Sequence, residues 1–135
     1  MSFEEIPHTA DVKIRAHAKT LDLLFSDAFD ALMQVLYGTD RRGGHRKEIR
    51  IDSADVESLL ADFLSEVLFI AEVEGLVFSH ADIRIEGNNL IALLDGEPFD
   101  YKRHAEGTEV KGISYSGLSI TRDANGYMLD ILFDV

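Results

Sequence analysis

Residues 11–38 read DVKIRAHAKTLDLLFSDAFDALMQVLYG, and within them the apolar spacing changes from every second residue to that of an α-helix. Over Asp11 to Ala18, the side chains Val12, Ile14, Ala16 and Ala18 alternate with Asp11, Lys13, Arg15 and His17, the pattern of a strand with one buried face. Beyond it, Leu21, Leu24, Phe25, Ala28, Leu32, Val35 and Leu36 recur at helical spacing. Thr20 carries an oxygen that can cap the first turn, and Gly38 supplies the stop. Strand and helix are therefore joined by little more than Lys19 and Thr20, and the helix must fold back along the strand it leaves.

The same reading extends in both directions. Residues 39–44 (TDRRGG) form a polar turn, and Ile49 and Ile51 suggest a short second strand. Asp52 or Ser53 can cap a second helix from about Ala54 to Glu74, whose apolar face holds Val56, Leu59, Leu60, Phe63, Leu64, Val67, Leu68 and Ala71. Gly75 provides the left-handed position just past its end. After that the pattern is nearly all strand: Leu76 to Phe78, Ala81 to Glu86, Leu90 to Leu94, Val110 to Tyr115, Leu118 to Arg122 and Tyr127 to Phe133. Gly87-Asn88-Asn89 and Asp123-Ala124-Asn125-Gly126 are hairpin turns. The order β-α-β-α followed by strands predicts an α+β fold, a two-layer arrangement with two helices packed on one face of a mixed β-sheet. No repeat, low-complexity tract or Pro-rich linker divides the chain, so one domain over 1–135 is expected.

Composition bounds the function. With 135 residues and 46% hydrophobic content, the chain can bury a real core and is not a disordered segment. Its net charge of −12, from 25 acidic and 13 basic residues, argues against direct, strong nucleic-acid binding through phosphate neutralisation. The charge favours basic protein partners or hard cations, and solubility alone would also account for it. Absence of Cys excludes disulfides and thiolate metal sites and fits a reducing compartment. The start, MSFEEIPHTAD, has neither the basic nor the apolar region of a signal peptide, and no apolar stretch is long enough to span a bilayer. A cytoplasmic location without a membrane partner is the expectation. Arg41, Arg42, His45, Arg46 and Lys47 form the only basic cluster, read either as a solvated turn or as a contact for RNA or an acidic surface. There is no phosphate-binding loop, nucleophile elbow or metalloprotease His pair.

Three segments could carry chemistry. His8-Thr9-Ala10-Asp11 stands at the entrance to the first strand, where His and Asp can point into one small space; taken alone, an Asx-type turn that merely holds the strand end is the favoured reading. The C-terminus, Asp130-Ile131-Leu132-Phe133-Asp134-Val135, places an acidic side chain next to a terminal carboxylate. On an ordered strand, Tyr127, Leu129, Ile131 and Phe133 face one way and Met128, Asp130, Leu132 and Asp134 the other. If the first strand lies antiparallel beside it, Asp11 meets Asp134, and three clustered carboxylates call for a proton or a metal ion. Oxygen-only ligands suit calcium or magnesium, with manganese also compatible, and disfavour zinc. The alternative is a solvated, frayed acidic tail. The third segment, Phe99 to His104 with Glu109 to Tyr115, offers His104 and Lys111 to a phosphate or carboxylate, or else is a charged loop over a sheet edge. A metal-dependent hydrolase built on His8, Asp11 and His104 has the least support, because these residues supply no nucleophile–base pair.

The order of segments resembles the archease family. The resemblance rests on the HTAD turn at 8–11, the Leu-Leu-Phe-rich first helix, and Asp55-x-Glu57-x-Leu59-Leu60-x-x-Phe63-Leu64-Ser65-Glu66-Val67-Leu68. It continues through Gly96-Glu97, His104, Val110-Lys111 with Ser114-Tyr115, and the terminal Phe133-Asp134-Val135. It implies an accessory protein, without catalytic residues of its own, that activates an RNA ligase of the RtcB type in tRNA splicing and RNA repair. Such a protein promotes guanylylation of the ligase and sustains its turnover. The resemblance also implies a divalent metal, calcium foremost, held by Asp11, Asp134 and Val135. His8, Asp11, His104, Lys111 and Asp134 become the ligase-activating candidates. A second role implied for the family is that of an adaptor or chaperone-like modulator of a tRNA-modifying enzyme such as a tRNA methyltransferase. This chain departs from the family pattern in having Ser114-Tyr115-Ser116 where Thr-Tyr-His is usual, Phe63 for a common Trp, and no Trp at all.

Overall fold

A computed structural model describes residues 3–6 and 11–135. In chain order the elements are β1 (Phe3–Ile6), β2 (Asp11–Ala18), α1 (Leu21–Tyr37), β3 (His45–Asp52), α2 (Val56–Glu74), β4 (Leu76–Glu86), β5 (Asn89–Pro98), the single-turn α3 (Tyr101–His104), β6 (Gly112–Asp123) and β7 (Gly126–Asp134). They form two sheets, one in the order β1-β2-β7-β6 and one in the order β3-β5-β4.

The class is α+β, as the element order implied, but the sheet is not a single mixed one. Every strand pairing is antiparallel. α1 carries the chain from the first sheet to the second, so no strand–helix–strand unit closes a parallel pair there. β3 and β4, joined through α2, both run antiparallel to β5, which lies between them and takes the place of a parallel ladder.

The helices explain why two sheets are needed. A helix lying on one sheet buries a stripe of roughly 100°. In α1 the buried residues are Leu24, Phe25, Ala28, Phe29, Ala31, Leu32, Met33 and Leu36, which at about 100° per residue cover about half the circumference. The same holds for α2, where even Ala61, outside the expected apolar face, is buried. Each helix therefore needs two surfaces. α1 packs on β1, β2 and β7 of the first sheet and on β4 of the second, while α2 packs on β6 of the first and on β3 and β4 of the second. Phe25 and Phe63 stack between the helices with ring centroids 6.4 Å apart.

Local chemistry sets the boundaries. The Thr20 side chain accepts from the Leu23 N–H at 3.2 Å, as expected. The second cap is Asp55 rather than Asp52 or Ser53: its carboxylate accepts from the Ser58 N–H at 2.8 Å, which holds its pKa below the usual carboxylate range. Ser53 instead donates to Asp62 at 2.6 Å. Gly75 takes the left-handed conformation at φ 63°, ψ 39°. The separate strands expected at 76–78 and 81–86 are one strand with an irregularity between Phe78 and His80; those expected at 110–115 and 118–122 are one strand, β6, that begins at Gly112 and bulges between Ser114 and Ser119.

A candidate carboxylate site at one end of the first sheet

The register of the first sheet fixes the site. β2 and β7 pair so that Asp11 stands opposite Asp134, and β6 continues the same row with Gly112 opposite Asp134. Leu129, Ile131 and Phe133 of β7 and Ile14 and Ala16 of β2 face the core, so by strand alternation Asp11 and Asp134 share the outer face. Asp11 is half-buried and Asp134 exposed. A Cβ on Gly112 would lie 3.8 Å from Asp134 Oδ2, so the carboxylate leans over a position with no side chain. The tail is tied down: Asp134 pairs on both sides, and its carbonyl accepts from the Lys111 N–H at 2.6 Å. A frayed tail is thereby ruled out up to Asp134, and Val135 follows at once.

Among the described residues, neither carboxylate takes part in an ion pair or accepts a side-chain hydrogen bond. Arg15, on the same face, is committed to Asp130, with its Nε 2.8 Å from Oδ1. That pairing also removes Asp130 from the acidic end. Lys111 meets the site through its main chain and forms no ion pair there. Among the described residues no three His, Asp or Glu side chains group closely enough to hold a metal ion. Val135, the third metal ligand implied by the resemblance, follows Asp134 directly and is exposed. His8 and Thr9 lie outside the described residues. Among the described residues the donors are all oxygen, a set that suits a hard divalent cation better than zinc.

His104 is placed differently from an open phosphate or carboxylate ligand. It is 1% exposed, and its Nδ1 accepts from the Asp100 N–H at 2.9 Å. Its hydrogen therefore sits on Nε2, 3.0 Å from the Asp40 carbonyl. Beside it Glu97 is gripped by Arg103, whose Nη1 lies 2.9 Å from Oε2 and whose Nη2 donates to Oε1. The Arg42 N–H adds a bond of 2.7 Å to Glu97. Those hydrogen bonds, that from Arg103 foremost, hold the Glu97 carboxyl down at about 2. Arg103 also reaches Asp100 at 3.1 Å. The segment 97–104 is thereby clamped onto the turn after α1, with the charges of Glu97, Asp100 and Arg103 paired internally. The basic cluster divides in the same way: Arg41 donates to the carbonyls of Gly38 at 2.6 Å and Phe78 at 2.9 Å, so it is structural.

The clamp and the carboxylates nevertheless share one end of the molecule. α1 returns along β2, bringing its C-terminus back toward Asp11. The Thr108 N–H then bonds Val35 at 2.8 Å while Lys111 bonds Asp134. Three extended residues span at most about 11 Å, so that linker joins the two places closely. Sequence reasoning missed Gly112 as part of the site; its signal was a glycine at the first position of a strand.

A family model described as the archease protein family matches residues 3–135. The chain belongs to the archease family. Among its relatives is the protein archease of Methanosarcina barkeri, 36% identical over 98% of this chain and 95% of the relative. Two solved structures share the fold. One is the solution structure of protein 1598 from Methanobacterium thermoautotrophicum, with TM-score 0.82, 23% identity and 99% of both chains covered. The other is a crystal structure of an archease from Thermotoga maritima, named there a possible chaperone, with TM-score 0.69, 21% identity, and 98% of this chain and 96% of that one covered. Among the described residues of this archease-family chain, no helix is long and apolar enough to cross a membrane.

Proposed function

We propose that this archease-family chain is a cytoplasmic accessory protein of an RtcB-type RNA ligase, and that it presents Asp11, Asp134 and the Val135 carboxylate to the ligase as a divalent-cation site. The observation that supports this most is the in-register pair Asp11 and Asp134 on one exposed face, with no neutralising side chain among the described residues. Two antiparallel strands hold the carboxylates with little freedom, and Gly112 leaves the third position of the row open. Two side-chain carboxylates and a chain terminus offer at most about six oxygens, the lower end of the six to eight that calcium takes. Monodentate binding leaves positions for water or a partner, which suits a site completed on docking. A bound cation would supply charge stabilisation to a reacting phosphate. The protein's own residues then position and orient; His104, buried, acts by holding segment 97–104 in shape, and Lys111 by anchoring the tail through its N–H. The net charge of −12 favours a basic protein surface as the docking target over RNA itself.

The test is a ligase guanylylation and multiple-turnover assay with and without this protein. Asp11→Ala is expected to remove the stimulation at least tenfold while the far-UV spectrum stays unchanged. Full stimulation by Asp11→Ala refutes the assignment. The second reading, an adaptor or chaperone-like modulator of a tRNA-modifying enzyme such as a tRNA methyltransferase, draws on Phe69 and Val73, one turn apart on α2 and 58% and 66% exposed. It predicts partner binding that survives Asp11→Ala and is lost on Phe69→Ser.

A further inference from the structure

The outer face of the second sheet is complementary in charge to itself, and we infer that a second copy of this chain docks on it about a two-fold axis. The register lays four rows across β3, β5 and β4. The two middle rows are Glu48–Leu93–Asp82 and Arg50–Ile91–Arg84. The outer rows are Arg46–Asp95–His80 above and Asp52–Asn89–Glu86 below. Alternate rows such as Ile49–Ala92–Ile83 are buried, so these four point outward. At their centre Leu93 and Ile91 are 46% and 40% exposed on the middle strand, and among the described residues no helix packs over them.

The rows alternate in sign, which decides how a second copy can lie. Take a two-fold axis in the plane of the face, perpendicular to the strands, between the two middle rows. It reverses the row order and keeps each strand over its own copy. Glu48 and Asp82 then stand over Arg50 and Arg84 of the second copy, and the reverse holds by symmetry. Leu93 meets Ile91, Arg46 meets Asp52, and His80 meets Glu86. An axis along the strands would instead set acid over acid. Only one of these two orientations is compatible, and it is isologous, the arrangement that closes as a dimer. Within one copy Glu48 and Arg50 are already paired at 3.1 Å, so docking would form a ring of four alternating charges.

The size of the face sets the strength. With strands about 4.8 Å and rows about 6.8 Å apart, each copy offers on the order of 400 Å², less than the roughly 800 Å² per partner of a standard interface. The net charge of −12 on each copy also opposes association. At physiological salt the Debye length is about 8 Å, so that long-range repulsion is largely screened while contact pairs are not. The association is therefore weak and reversible, with dissociation in the upper micromolar range.

Sedimentation equilibrium at about 0.15 M salt, from about 10 µM to 1 mM protein, tests it. Two variants are compared with the parent: Glu48→Arg/Asp82→Arg, which makes both middle rows basic, and Arg50→Glu/Arg84→Glu, which makes both acidic. The parent should dimerise, each variant alone should associate at least tenfold more weakly, and an equimolar mixture should recover the parent's affinity. A parent that stays monomeric up to 1 mM overturns the inference. So does a dimer that ignores both reversals, or a mixture that remains monomeric. All four positions are exposed, and a thermal melt checks folding. Should either variant fail to fold, Leu93→Lys alone must weaken the dimer at least tenfold, and an unchanged dimer there counts equally against it.

Discussion

If Asp11 and Asp134 face each other without a cation, removing one charge should stabilise the metal-free protein, contrary to the usual effect of a substitution. Register partners in an antiparallel pair have Cα atoms about 4.5–5.5 Å apart, so the carboxylates are taken as roughly 5 Å apart. Coulomb repulsion at that distance is about 0.8 kcal/mol with the dielectric of water and about 3 kcal/mol at the effective value of about 20 used near protein surfaces. Because Asp134 is exposed, solvent screens the upper figure, and Asp11→Asn or Asp134→Asn should gain about 1 kcal/mol in chelator-treated protein. For a chain of this length that raises the melting temperature by several degrees. Calcium should invert the order. At a hundredfold excess over its dissociation constant, a ligand stabilises the folded state by about 2.7 kcal/mol, and the variants forgo most of that gain. Thermal melts of the three proteins, each in chelator and in calcium, contain the whole test, with magnesium and manganese as comparisons. Salt near 1 M should shrink the metal-free difference, because the screening length falls to about 3 Å. The reasoning is refuted if either substitution lowers the metal-free melting temperature, or if calcium raises all three proteins alike.

Two further predictions concern the scaffold. Glu97, held at about 2 against an ordinary 4.5, binds its proton more weakly folded than unfolded, so its stabilisation is fully present above about pH 4.5 and is lost as pH falls toward 2. Glu97→Gln should be markedly less stable than the parent at neutral pH, and denaturant titrations should show that gap closing between about pH 4.5 and 2; a constant gap would disprove the linkage. Gly107→Ala would put a Cβ 1.8 Å from the Leu36 carbonyl oxygen, and such overpacking against backbone costs about 1–3 kcal/mol. A melting temperature within one degree of the parent's, in a thermal scan, would show that the segment is free to move aside.

What the sequence made legible followed from periodicity. Strand alternation placed Leu129, Ile131 and Phe133 inward and Asp130 and Asp134 outward, and the structure agrees. The convergence of Asp11 with Asp134 was conditional on β2 pairing with β7, and that pairing exists because both strands bury the same kind of face against α1. Other features carry no local period. β1 has only four residues, and its pairing with β2 is set by an edge left open there, not by its own pattern. The split into two sheets shows in the burial of Ala31, Met33 and Ala61 at the margins of the expected faces, and small or peripheral residues do not announce which side of a helix is covered. The burial of His104 was hidden for another reason. A titratable residue in a Lys-Arg-His run reads as exposed until its partners are known, and those partners, the Asp40 carbonyl and Glu97, come from elsewhere in the chain.

The Glu97 clamp and the carboxylate pair are not independent, and this bears on how the acidic end is kept in shape. Arg103 and His104 hold α3 against the turn after α1, and from α3 the chain has only residues 105–111 in which to reach the end of β7. Along that path Thr108 is fastened to Val35, Gly107 lies against the Leu36 carbonyl without room for a side chain, and Val110 is fully buried. The last fastening, Lys111 to Asp134, is therefore delivered by a strap fixed at both ends. A loosened clamp lengthens the free segment before Lys111, and the bond most exposed to that slack is the one that holds Asp134 opposite Asp11. The buried residues of segment 97–104, which supply nothing to the open face, thus set the geometry of the two side chains that do.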